Sequence, residues 1–343
     1  DINLLVVMLN RQMNVRYVSK NAAPRAVYES KLTGTMNKTK ISSLFTGSGA
    51  FLDTKKNTYD ALIIDEAHRL NAMSGLYGNL GENQIKESIQ SSHFCVFFLD
   101  EDQRVTLKDI GSKDEIIRWA KASKATVAQK KLESQFRCNG SDGYLAWLDH
   151  SLQIRKTSNT DLNGIQYDFK VFDSPSDLKD AIVEQNQKTG KARLVAGYCW
   201  EWVSKKDPNA FDIVFPEYDF QMQWNLTEDG SLWILKNESI NQIGCIHTCQ
   251  GLEMDYVGVI IGPDLFVRDN KVHSDPSKRA RHDNTIKGYK SLLAKGPIEG
   301  RKQIDMIIKN TYRTLMTRGM KGCYVYATDL EVREYLKKCM KRN

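Results

Sequence analysis

Residues 61–70, ALIIDEAHRL, constrain the rest of the chain more than any other stretch. Four apolar residues, 61–64, run straight into two carboxylates, Asp65 and Glu66. Such a run is predicted to be a buried parallel strand ending at the rim of a sheet. In open α/β sheets, ligands collect outside the carboxyl ends of the strands. Two adjacent acids there suit metal–nucleotide chemistry. Asp65 can hold Mg²⁺, directly or through water, and Glu66 can polarise a water for attack on a γ-phosphate. The same letters also read as a solvated strand end leading into a helix N-terminus, where acids are favoured. The stretch alone leaves both readings open.

The pattern around it repeats. Residues 94–99 (FCVFFL) read as a second buried strand, and it too ends in acid and amide: Asp100, Glu101, Asp102, Gln103. Further strands are predicted at 14–19, 167–172, 192–200, 243–247, 257–261 and 322–327. Helices are predicted at 1–10, where the apolar run reads as buried, from about 24, at 85–91, at 112–123, around Tyr144 and Trp147, at 175–188 and at 303–316. Residues 33–58 read as polar and turn-rich, 71–84 (rich in Gly and Asn) as an exposed mobile loop, and 204–230 as irregular. Strands alternating with helices in both halves predict two α/β domains with mostly parallel sheets, residues 1–133 and 134–343. A chain of 343 residues is long enough to give each a core.

Composition narrows the class. The chain is 41% hydrophobic and 27% charged, as expected of a soluble globular protein. Its longest apolar run, residues 4–9, is far short of a membrane span, and no signal peptide is visible at the start. Seven scattered cysteines suit a reducing cytoplasm. Cys245, His247 and Cys249 form C-x-H-x-C without a second ligand pair, and read as strand residues rather than a zinc site. The net charge of +7 is uneven. Residues 267–302 hold ten Lys/Arg against four Asp/Glu, and residues 331–343 hold five against two. A basic stretch of this kind fits nucleic acid or a solvated loop.

Six motifs stand in one order. Residues 15–32 come first, then Asp65-Glu66-Ala67-His68, then residues 99–103, then Gln135-Phe136-Arg137, then residues 247–255, and last residues 312–319 (YRTLMTRG). In this order they resemble motifs Ia, II (Walker B), III, IV, V and VI of superfamily 1 helicase-type P-loop ATPases. The chain is most similar to a bacterial family related to the helicase-like part of Schlafen proteins and to RecD-type helicases, often fused to a GIY-YIG endonuclease. The resemblance spans almost the whole chain and implies two RecA-like domains. It implies Asp65 as the Mg²⁺ ligand, Glu66 as catalytic base, and Gln103 as the residue that senses the γ-phosphate and aligns the water. Arg137 and Arg318 would contact the phosphates from the second domain as arginine fingers, which can be worth about 10³–10⁵ in rate. Planar guanidinium groups suit charge that spreads over the transferred phosphoryl oxygens. Gly251 and Glu253 would approach the ATP phosphates and ribose. Asn21, Ala22, Arg25, His247 and Thr248 would line a groove for single-stranded DNA or RNA. Asp65, Gln103, Arg137 and Arg318 are expected to converge on a cleft between the domains. Tyr17, Phe136 and Tyr312 read as core residues rather than stacking platforms.

One departure from the pattern is large. No G-x-x-x-x-G-K-[ST] occurs; Gly47-Ser48-Gly49 lacks the lysine, and Gly190-Lys191 is followed by Ala192. The chain is expected to begin just after the phosphate-cradling Walker A loop, and to hydrolyse little ATP without it. A second reading is a non-catalytic nucleic-acid-binding or scaffold module that keeps the helicase fold. The basic segment is expected to bind single strands through Lys278, Arg279 and Arg281.

Overall fold

The computed structural model describes residues 2–34, 37–75, 78–131, 137–225, 233–249 and 253–341, with backbone only at 137 and 139. The chain divides into two compact units, Asp1–Lys131 and Leu132–Asn343.

Unit 1 contains α1 (Ile2–Asn10), β1 (Val15–Ser19), α2 (Ala22–Leu32), α3 (Lys38–Leu44), β2 (Phe45–Thr46), β3 (Tyr59–Asp65), α4 (Gln84–Ser91), β4 (Ser92–Phe97) and α5 (Lys113–Ala122). Its sheet runs β2-β1-β3-β4, and every pairing is parallel. The apolar run of β3 is continuous because both faces are covered. Side chains alternate along a strand, so Ala61 and Ile63 join one core cluster with Leu5, Met8 and Tyr17. Leu62 and Ile64 join another with Phe51, Leu70 and Ile85. The 94–99 run behaves differently. β4 is the edge strand of the described sheet, and Phe94 is 53% exposed, so the expectation of a buried strand is corrected. An edge strand has only one paired flank, and its apolar letters do not report burial.

Other expectations in this unit also change. α1 buries only Leu5 and Met8, while Val6 and Val7 lie exposed on its other face. The polar stretch 33–58 contains α3 and β2. Within 71–84, Ser74, Asn83 and Gln84 are buried. Gln84 Nε2 donates to Ser74 Oγ (2.9 Å), and its Oε1 accepts from the Asn71 amide (2.9 Å). Leu76 and Tyr77 lie outside the described residues.

Unit 2 contains α6 (Asp142–Ser151), β5 (Asp168–Val171), α7 (Pro175–Thr189), β6 (Ala192–Ala196), β7 (Ile213–Phe215), β8 (Phe220–Trp224), β9 (Gln242–Gly244), α8 (Ile246–Cys249), β10 (Met254–Ile261), β11 (Leu265–Arg268), β12 (Lys271–Ser274), α9 (Tyr289–Lys295), α10 (Pro297–Met316), β13 (Gly319–Ala327) and α11 (Leu330–Cys339). Its main sheet runs β5-β13-β10-β6-β9-β8-β7, parallel except for the β7–β8 hairpin. β11 and β12 form a separate antiparallel pair. Both units are thus α/β with mostly parallel sheets. The hairpin corrects the irregular reading of 204–230, of which 226–230 lie outside the described residues. The strand expected at 243–247 ends at Gly244, and His247 stands in α8.

The basic segment holds one more correction. Arg279 is not a surface cation. Its side chain is fully buried, with Nε 2.6 Å from Asp264 and Nη1 3.0 Å from Asp283. Burial alone would lower its pKa; the Asp264 and Asp283 carboxylates outweigh that and hold it above the ordinary arginine value. The Tyr312 hydroxyl closes the same cluster by donating to Asp264.

Candidate active site and nucleic-acid interface

The site in unit 1 is built at the carboxyl end of β3. Asp65 is the last residue of the strand, level with Ser19 at the end of β1. Its Oδ2 accepts a hydrogen bond from the Tyr17 hydroxyl (2.6 Å). Burial raises the Asp65 pKa, and the neighbouring Glu66 charge adds to the rise. A buried acid beside another acid holds its negative charge at a cost, which a cation would offset. The same burial, with Asp65 facing it, pushes the Tyr17 phenol well up.

Glu66 leaves the strand in the left-handed region, at φ 51° and ψ 44°. A side chain with a Cβ is uncommon there and strained by about 1–3 kcal/mol. The turn is held from both sides. The Ala67 amide donates to Phe98 O (2.8 Å), and Arg69 N donates to Glu66 O (2.8 Å). It brings the Glu66 carboxylate to His68, with Oε2 2.8 Å from Nε2, while both residues are buried. The other imidazole nitrogen, Nδ1, accepts from the Asp100 amide (3.4 Å). Asp100 in turn receives Gln103 Nε2 on Oδ2 (2.6 Å), and Gln103 is buried. One chain of contacts therefore runs from Glu66 through His68 and Asp100 to Gln103. The sequence motifs contain His68 and Asp100 but assign them no role. The signal was the fourth letter of D-E-A-H, whose role depends on the left-handed turn.

A second cluster supports this end of the sheet. Asp109 accepts from Val105 N (3.2 Å), Thr106 N (3.1 Å) and Arg69 Nε (3.2 Å), and lies 3.6 Å from Lys20 Nζ. Burial would raise its pKa, but Arg69 and Lys20 overcome that and hold it low. Lys20, immediately after β1, donates to Asn71 Oδ1 (2.7 Å). Burial lowers its pKa to about 8, only partly opposed by Asp109. Gly111 follows this loop. A Cβ there would lie 1.9 Å from Ala67 O and 2.6 Å from His68 Cα, so the loop presses directly on the backbone behind Glu66.

The first group of groove candidates is also in unit 1, at the start of α2. Asn21 is the N-cap, but its side chain makes no capping bond, and its Nδ2 is buried without a partner. Ala22 is exposed. Arg25 Nε donates to Asn21 O (3.3 Å), and its guanidinium lies against Gly47. The buried Ser19 Oγ also has no partner. Donors at a helix N-terminus with no acceptor of their own suit an anionic ligand.

In unit 2, Arg318 is buried and its Nε donates to Thr314 O (3.0 Å). Its backbone carbonyl accepts from Met254 N (2.9 Å), which sets it beside the exposed Glu253. Its charge also acts on the thiol of Cys249, which burial pushes up to about 12. His247 is exposed on α8. Thr248 Oγ1 is occupied, accepting from the Cys245 amide in its own turn (2.9 Å) and donating to Asn225 Oδ1 just after β8 (3.1 Å). The Arg137 side chain, Gln135, Phe136 and Gly251 lie outside the described residues. Tyr17 and Tyr312 are core residues.

No three His, Cys, Asp or Glu side chains among the described residues are grouped to cage a metal. Mg²⁺ bound with a nucleotide needs one or two carboxylates, because phosphates and waters fill its other positions. Asp65 fits that demand. No helix among the described residues is long and apolar enough to cross a membrane.

Comparison with known proteins adds three findings. The Saccharomyces cerevisiae protein YPL245W is 24% identical over 321 residues, covering 83% of this chain and 66% of that protein. The chain thus spans about two thirds of that relative's length. A structure of S. cerevisiae Dbp5 bound to RNA and ADP BeF3 aligns with 96% of this chain and 81% of its own, at 10% identity. Its TM-score of 0.32 is too low for that likeness to carry weight. Residues 2–329 match the family described as Schlafen group 3, DNA/RNA helicase domain. With nearly its whole length matched, the chain belongs to the Schlafen group 3 family as a DNA/RNA helicase domain.

Proposed function

We propose that this domain hydrolyses ATP in a nucleic-acid-dependent way, with the chemistry at the carboxyl end of β3. The observation that carries the reading is the contact chain Glu66–His68–Asp100–Gln103 beside Asp65. It joins the proposed base to the proposed phosphate-sensing amide within one unit. Asp65 would hold Mg²⁺, which when bound neutralises phosphate charge. Glu66 accepts the proton of the attacking water, His68 fixes the carboxylate, and Gln103 orients the water. Arg137 and Arg318 supply positive charge to the transferred phosphoryl group, and Gly251 and Glu253 contact the nucleotide. Asn21, Ala22, Arg25, His247 and Thr248 contact single-stranded DNA or RNA; the unpartnered Asn21 Nδ2 is the support from unit 1. A cytoplasmic setting, a bacterial source and a fused or partnered nuclease rest on the motif resemblance alone.

A second reading, a nucleic-acid-binding module without turnover, is favoured by one fact: these 343 residues contain no phosphate-cradling G-x-x-x-x-G-K-[ST]. Positioning supplies much of phosphoryl-transfer catalysis. The test is steady-state hydrolysis and nucleotide binding by residues 1–343 and by a version extended with an upstream strand and phosphate loop. The extended protein is expected to turn over with nucleic-acid stimulation. In it, Glu66→Gln is expected to abolish turnover and spare binding, His68→Ala to cut kcat by about 10²-fold or less as a positioning loss, and Arg318→Ala to cut kcat severely. An extended protein indifferent to Glu66→Gln places the chemistry elsewhere.

A further inference from the structure

Ile298 is 77% exposed, more than any other large hydrophobic residue among those described. A single exposed aliphatic side chain is ordinary on a protein surface. Its setting here is not. It is the second residue of α10, and only Gly296 separates it and Pro297 from the end of α9. The two helices thus meet in a one-residue corner with Ile298 at its tip.

The corner is built to hold its shape. Gly296 N donates to Leu292 O (3.1 Å), and Gly300 N donates to Gly296 O (2.7 Å). α9 lies so close on α10 that a Cβ at Gly300 would stand 3.0 Å from Leu292 O. α10 is tied to β12 twice, by Arg301 Nη2 donating to Ser274 O (2.7 Å) and by Ser274 Oγ donating to Asp305 (2.8 Å). The buried Arg279–Asp264–Asp283 cluster fixes the chain leading into α9.

The two arms of the corner carry cations. Lys290 and Lys295 on α9 and Lys302 on α10 are exposed and have no ion-pair partner among the described residues. On α10, Lys302 follows Ile298 by four positions and shares its face. Glu299, the one carboxylate at the tip, is the next residue, turned about 100° around the helix.

We infer that the α9–α10 corner is a nucleic-acid wedge: Ile298 enters between bases at a single-strand–duplex junction while the surrounding lysines hold the phosphates. Proteins that open base steps do so with apolar side chains of this kind, flanked by cations. A membrane surface would ask for a broad apolar face, and Ile298 has only Pro297 exposed beside it, with Met306 two turns further along α10. The inference rests on the nucleic-acid reading proposed above but concerns a surface remote in sequence from its groove residues.

The test uses residues 1–343 and a forked duplex carrying 2-aminopurine at the junction, with a blunt duplex and a single strand as controls. The wild-type protein is expected to prefer the fork and raise the 2-aminopurine fluorescence. Ile298→Ala is expected to lose at least half of that rise and the fork preference, with its salt dependence unchanged. The triple variant Lys290→Gln/Lys295→Gln/Lys302→Gln is expected to weaken binding to all three nucleic acids and reduce the log–log salt slope by about 2–3, near 0.7–0.9 per lost phosphate contact. All these side chains are at the surface, so circular dichroism of each variant should match the wild type. Binding with full unstacking by Ile298→Ala overturns the wedge and leaves nucleic-acid binding standing. No binding to any nucleic acid at low salt overturns both. Ile298-dependent binding to phosphatidylserine vesicles without unstacking of the fork reassigns the corner to a membrane surface and also overturns the wedge.

Discussion

Replacing Arg279 with Met tests whether the basic segment is surface or core. The guanidinium is fully buried and serves two carboxylates, Asp264 at 2.6 Å and Asp283 at 3.0 Å, both buried as well. Methionine fills much of the volume, so the loss is one of charge. Removing one member of a buried ion pair costs about 3–5 kcal/mol, because the remaining charge is stranded without water. Here two carboxylates are stranded, which places Arg279→Met toward the upper end, at about 4–5 kcal/mol. The assay is urea unfolding followed by tryptophan fluorescence, which reports mostly on unit 2 through Trp147, Trp200, Trp202, Trp224 and Trp233. The double variant Arg279→Met/Asp283→Asn should recover about 1–2 kcal/mol, because one stranded charge is gone. Lys278→Gln/Arg281→Gln should unfold at the wild-type midpoint. A cost below about 1 kcal/mol for Arg279→Met, against the 3–5 expected of a buried pair, would refute the reasoning and return Arg279 to the surface. Any nucleic-acid assay that neutralises Lys278, Arg279 and Arg281 together therefore measures unfolding as well as binding.

Two further outcomes follow from unit 1. Gly111→Ala should destabilise by about 2–3 kcal/mol in urea unfolding followed by far-UV circular dichroism, which reports on both units, as overpacking does when backbone must move. Gly296→Ala in unit 2 is the control: a Cβ there meets nothing within 4 Å, so it should cost about 1 kcal/mol or less, the scale of a helix N-cap change; equal effects would show that the loop does not press on the backbone behind Glu66. The Lys20 pKa of about 8 lies below its unfolded value, so between about pH 8 and 10.5 the unfolded chain holds a proton that the folded one lacks. Stability should therefore rise with pH across that window, by at most about 3.4 kcal/mol relative to Lys20→Met, at 1.36 kcal/mol per unit; parallel pH profiles for the two proteins would show Lys20 to be unperturbed.

Some of this was legible in the letters. β3 could be read because both its faces are buried, and a continuous apolar run ending in acid has few other uses. β4 has a similar run but lies at the edge, and no local pattern separates the two. The β7–β8 hairpin was obscured because its strands are short and Pro216 and Asp219 break the apolar pattern. Arg279 sits in a basic stretch and looked like its neighbours; the carboxylate that buries it, Asp264, belongs to the preceding strand connection. At the site, Asp65, Glu66 and Gln103 stood out as residue types. Their linkage did not, because His68 reaches Glu66 only through a left-handed backbone turn that glutamate rarely adopts.

The place of β13 in unit 2 has a consequence for how the protein is made. β5, the first strand of that unit, has β13 as its one neighbour in the sheet, with Phe169 level with Cys323. The last strand synthesised is therefore the one on which the first must pair. At about 5–20 residues per second, the ribosome needs roughly 10–30 s to travel from one to the other. Throughout that interval β5 has no partner, and once β10 is made its flank meant for β13 stays open, whereas the strands of unit 1 find each other within residues 15–97. Unit 1 can pair its strands before unit 2 has been made, whereas unit 2 can close its sheet only once β13 has emerged. A stop codon just before Gly319 would not shorten unit 2 by one strand; it would take away the strand that joins β5 to β10.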